Sequence, residues 1–175
     1  MVGRALLTAA LLLTGGISAT PAAGQPPAPP PSEDPFYTYE QPLTTTAPGA
    51  VLRARPATFA FADLSTPINS TQVLYRTTNQ QNAPATSVTT VLRPLVPGPA
   101  RLLSYHTAYD ALGSQCAPSY TLTGHAGNRG ATAEQAMIAG YLAAGYTVVV
   151  PDYEGPDLEW TVGRQSGYAA LDGIR

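Results

Sequence analysis

The chain has 175 residues, 44% of them hydrophobic and 11% charged, with a net charge of −2. That is enough apolar content for a core, with roughly half the usual share of charge. Nine basic residues, all Arg and spread singly, make no patch for phosphates and argue against a nucleic-acid partner; one Cys excludes an internal disulfide framework and a Cys-based zinc site.

At the N terminus, Arg4 supplies a positive charge, Ala5 to Leu13 form a short apolar run, and Ala19, Ala22 and Ala23 are candidate cleavage points. This is the three-part layout of a secretory signal peptide, so residues 1–23 are expected to be removed and the protein to be secreted to the extracellular space. The run is far shorter than the roughly 20 apolar residues that span a bilayer, and no other stretch qualifies, so no integral membrane span is expected. Residues 24–34 carry five prolines and almost nothing to bury, which predicts an unpacked Pro-rich spacer. Residues 35–175 are a plausible single domain by size.

Within that domain, Val51 to Arg55 alternates and predicts a short edge strand. Gln72 to Thr77 and Ser87 to Arg93 are rich in β-branched residues and flank turn chemistry at Asn79 to Pro84, which predicts an antiparallel pair. Arg101 to Tyr105 reads as a third strand. Ala131 to Ala144 is the clearest helix: Thr132 and Gln135 form a capping box, Met137, Ile138, Tyr141 and Leu142 make an apolar stripe, and Gly145 stands at the C-terminal end. Tyr146 to Val150 is continuously apolar, as expected of a strand covered on both faces. Val162 to Arg175 is predicted as a last helix with Tyr168, Leu171 and Ile174 on one side; without a further strand to cover, Leu171 and Ile174 are expected to be wet.

Strand, crossover helix, strand, helix is the opening of an α/β sheet. Chemistry in such sheets sits in loops at the carboxyl ends of the strands. Two loops qualify, His106 to Arg129 and Asp152 to Thr161. The last helix is followed by no closing strand, so the chain is expected to be the N-terminal piece of a longer protein or a truncated gene product.

Three motifs in register carry a resemblance: Ser104-Tyr105-His106-Thr107-Ala108-Tyr109-Asp110 with Cys116-Ala117-Pro118-Ser119-Tyr120, then Pro151-Asp152-Tyr153-Glu154-Gly155, then Leu171-Asp172-Gly173-Ile174-Arg175. In this order and spacing they resemble the secretory lipase family, the lipase-A-like branch of the α/β-hydrolases, from Phe36 to Arg175. The resemblance implies the N-terminal part of an α/β-hydrolase fold, an antiparallel hairpin leading into a parallel sheet with crossover helices, ending before the nucleophile elbow. It implies hydrolysis of triacylglycerols and other carboxylic esters by a serine nucleophile and an acyl-enzyme, with a lipid or ester substrate and no cofactor or metal. The alternative is a non-catalytic exported binding or envelope protein built on a degenerate hydrolase half-fold.

The chain contains no Gly-x-Ser-x-Gly; Gly163-Arg164-Gln165-Ser166-Gly167 has its serine one place late. The triad order is Ser, then acid, then His, so neither His106 nor His125 is the triad base, and the nucleophile and triad Asp and His are absent from this chain. By itself the chain is therefore expected to be inactive. One catalytic part is expected here: Asp110, matching the family residue whose backbone N–H donates to the oxyanion. His106 is expected to flank that loop, and His125 to lie at the surface. Cys116 matches a family cysteine that pairs with a downstream one. Asp152 and Glu154 are expected to cap the chain after the strand, and Tyr153, Trp160 and Tyr168 to pack.

Overall fold

A computed structural model describes residues 28–62, 64–96, 98–108, 112–125 and 129–175. Five strands form one mixed sheet in the order β1-β2-β3-β5-β4. They are β1 (Val51–Phe61), β2 (Leu64–Thr78), β3 (Pro84–Leu92), β4 (Leu102–Ser104) and β5 (Thr147–Pro151). The helices are α1 (Pro118–Thr121), α2 (Arg129–Ala143) and α3 (Gly163–Asp172).

The expected hairpin is β2 against β3, with Leu74 opposite Val88 and Tyr75 opposite Ser87. Its turn is built by Asn79, whose carboxamide oxygen accepts the N–H groups of Gln81 at 3.1 Å and Ala83 at 2.8 Å. Asn82 takes a φ of 64°, a conformation Asn tolerates better than most residues. The Val-rich run becomes β5, antiparallel to β3 and parallel to β4, with α2 as the crossover between β4 and β5. Gly145 closes that crossover at a φ of +84°.

Phe59, Leu92, Leu122, Ile138, Leu142, Val148 and Val150 form the buried core between the sheet and α2. Each large apolar side chain removed from water there contributes about 1.5–3 kcal/mol. The helix α3 packs against β2.

Five expectations need correction. The first strand runs from Val51 to Phe61 rather than to Arg55, and tolerates Pro56 because it lies at the edge of the sheet. Its partner begins at Leu64 rather than Gln72, because pairing with β1 holds residues that have weak strand propensity alone. Gln135 is not a capping residue. The helix α2 starts earlier, and the buried Gln135 amide accepts from Ala62 N–H and donates to the Thr121 carbonyl, both at 3.0 Å. The last helix runs from Gly163 to Asp172 rather than from Val162 to Arg175; its inner face is Gln165, Ala169, Ala170 and Asp172, and Leu171 and Ile174 are exposed, as expected. Small alanines let the helix approach β2 closely, so the Tyr75 hydroxyl donates to Ala169 O at 2.7 Å and Thr77 Oγ1 donates to Asp172 Oδ2 at 2.9 Å.

The fifth correction concerns the spacer. Residues 28–34 lie against the segment before and along α1. Ser114 Oγ donates to Ser32 Oγ at 3.0 Å, the Tyr120 hydroxyl donates to Ala28 O at 3.3 Å, and Pro31 is buried. Asp34 then caps the turn at Pro35–Tyr37 by accepting Phe36 N–H at 2.9 Å, and pairs with Arg55 at 2.7 Å. Among the described residues no helix is long and apolar enough to cross a membrane.

Candidate active-site loops

The parallel pair β4 and β5 sends two chain segments out of the same end of the sheet. They meet directly: the Tyr153 hydroxyl donates to Thr107 O at 2.7 Å, and the His106 and Tyr153 rings lie 5.8 Å apart. The hydroxyl of Ser104 and Nε2 of His106 are 3.0 Å apart. On the other side Glu134 of α2 accepts Ala108 N–H at 2.9 Å and the Tyr105 hydroxyl. Burial, then the carboxylate of Glu134, push the Tyr105 phenol up, so it stays a proton donor.

Asp110 lies outside the described residues. His106 is exposed beside the loop after β4. Cys116 is a free, half-buried thiol. His125 stacks on Tyr120 with ring centroids 4.1 Å apart. Ser166 sits within α3, its hydroxyl donating to Val162 O at 3.2 Å, a bond that a serine commonly makes to the preceding turn of its own helix. Among the described residues no group of three His, Cys, Asp or Glu side chains is placed to hold a metal ion.

The Asp152 carboxylate does not cap the turn after β5, the role expected of it, but bonds α1 instead. It accepts Ser119 N–H at 2.8 Å and Ser119 Oγ at 2.5 Å. The Tyr37 hydroxyl is 2.8 Å from that same Oγ, and Ser87 Oγ donates to Asp152 O at 2.7 Å. The network therefore ties together the N-terminal turn, α1, β3 and β5. Burial outweighs the two Ser119 hydrogen bonds and raises the Asp152 carboxyl from the usual 3.8 to about 7. Burial also raises Glu154 to about 7 and pushes the Tyr37 and Tyr75 phenols up. Neither Glu154 oxygen has a hydrogen-bond partner among the described residues, so the expected capping role fails for this residue. A cavity of about 390 Å³ opens beside the network, walled by Leu74, Val88, Leu112 and Leu158 with Tyr37 and Asp152 as polar groups.

Sequence reasoning missed Glu134, Ser119 and Tyr37. Ser119 and Tyr37 are 82 residues apart and meet only through the tertiary fold. Glu134 stands on α2, and the loop that it grips leaves a different element.

The architecture is matched by a solved structure of lipase A from Candida antarctica, with a TM-score of 0.77 and 34% identity over 85% of this chain and 36% of that one. The sheet with its crossover helix is thus the α/β-hydrolase fold. A family model described as "Secretory lipase" matches residues 126–175. A probable inactive lipase of Mycobacterium tuberculosis is 46% identical over 151 residues, 83% of this chain and 34% of the relative. Lipase A of Arthroderma benhamiae is 39% identical over 156 residues, 83% of this chain and 33% of the relative. The chain thus resembles secretory lipases over most of its length, and it spans about a third of the length of the curated relatives it matches.

Proposed function

We propose that this chain forms the N-terminal part of a secreted triacylglycerol lipase or carboxylic ester hydrolase. The observation that carries the reading is the meeting of the loops after β4 and β5 at the carboxyl ends of two parallel strands, where α/β sheets place their chemistry. Relatives named as lipases and an esterase support the ester-hydrolase class. In this reading the backbone N–H of Asp110 is one of the donors that stabilise the tetrahedral oxyanion, a type of interaction worth several kcal/mol in the transition state. His106 flanks that donor. The nucleophile, the acid and the base follow downstream in that order. Cys116 pairs with a downstream cysteine, and residues 1–23 direct export.

The second reading is an exported, non-catalytic protein on the same half-fold, favoured by the relative named as probably inactive. Hydrolysis of p-nitrophenyl esters separates the two. The 175-residue chain is expected to give no turnover, and the complete reading frame that carries this segment is expected to turn the esters over. Activity in the 175-residue chain that disappears on Ser166→Ala would place the nucleophile in α3 and overturn the assignment. A complete protein with an intact elbow serine and no turnover would favour the second reading.

A further inference from the structure

The backbone that leaves β4 is gripped from both sides just before residue 109. From α2, Glu134 Oε1 accepts Ala108 N–H at 2.9 Å while Oε2 accepts the Tyr105 hydroxyl. From the β5 side, Tyr153 donates to Thr107 O at 2.7 Å. Ala108 is exposed and brings no side-chain polar group of its own, so its conformation depends on what holds its backbone. A carboxylate accepting N–H and O–H makes bonds roughly twice as strong as neutral ones.

We propose that Glu134 is a positioning residue for ester hydrolysis: by fixing the backbone at Ala108 from α2 it sets the course of the chain as it leaves the carboxyl end of β4. The inference rests on the hydrolase reading and adds to it a residue on a separate element. A shift of about 1 Å in a segment that supports the chemistry costs on the order of 10²-fold in rate. Glutamine retains an oxygen for Ala108 N–H, and its amide nitrogen can donate to the Tyr105 oxygen. Alanine retains neither.

The test uses the complete reading frame that carries this segment, as wild type, Glu134→Ala and Glu134→Gln, on a soluble p-nitrophenyl ester, with amide exchange at Ala108 followed by NMR. Glu134→Ala is expected to lower kcat by ~10²-fold with KM moving by ~threefold at most, and to speed exchange at Ala108. Glu134→Gln is expected to restore kcat to within ~tenfold of wild type and to restore protection, and it also serves if the alanine variant fails to fold. An unchanged kcat in Glu134→Ala, or equal losses in both variants, overturns the positioning role and leaves the hydrolase reading standing. A wild type without turnover overturns the hydrolase reading and this assignment with it.

Discussion

Replacing Asp152 by Asn tests what burial does to the network that joins Tyr37, Ser119 and the end of β5. Asp152 is only 7% exposed, and its carboxyl is raised from 3.8 to about 7. Between those two values the folded chain holds a proton that the unfolded chain has released. Stability therefore falls as pH rises: the contribution is fully present below about 3.8 and is gone above about 7. A rise of about three units at roughly 1.4 kcal/mol each amounts to about 4 kcal/mol. The Asp152→Asn variant keeps the size and an acceptor for Ser119 N–H, but has no proton to lose. Urea unfolding of both proteins from pH 4 to pH 8 should show the Asn variant gaining about 4 kcal/mol relative to wild type across that range. Glu154, also raised by burial, tilts both proteins equally and cancels from the difference. A stability difference that stays flat with pH would refute the reasoning, because it would mean that the carboxyl ionises alike in the folded and unfolded chains.

Two further substitutions probe the packing. Gln135→Ala strands Ala62 N–H and the Thr121 carbonyl and should cost about 2–3 kcal/mol in urea unfolding; a loss below about 0.5 kcal/mol would show that water replaces both bonds. Gly155→Ala should cost at least about 1 kcal/mol, since φ there is +74° and a new Cβ would stand 2.5 Å from Gln165 Nε2; a melting temperature equal to that of wild type would show that both strains relax.

The parts of the fold that announce themselves by periodicity were legible. The β-branched run ending at Val150 and the apolar positions Ile138 and Leu142 ended up in the core. In α3 apolar character does not mark the buried face. Leu171 is exposed, whereas the polar Gln165 and Asp172 are buried. Asp172 is accepted there because Thr77 and Arg175 bond it, and hydropathy records no such pairing. Residues 64–71 lack a strand signature because their order comes from β1 beside them. At the site, the loop after β4 was legible from its motif. Its supports were not, since Glu134 and Tyr153 reach it from other elements.

The docked segment at residues 28–34 bears on how the chain folds. Sheet pairing from β1 to β3 joins near neighbours along the chain, so it requires only short loops to close. The bonds from Ser32 to Ser114 and from Tyr120 to Ala28 span 82 and 92 residues and must wait until α1 has been synthesised. Closing a loop of that length carries an entropic cost that grows with length, so these contacts belong to the slow, non-local part of folding. In the interval the segment must not add itself to the open edge at β1. Pro29, Pro30 and Pro31 suit that wait, because none of them has the N–H that strand pairing needs.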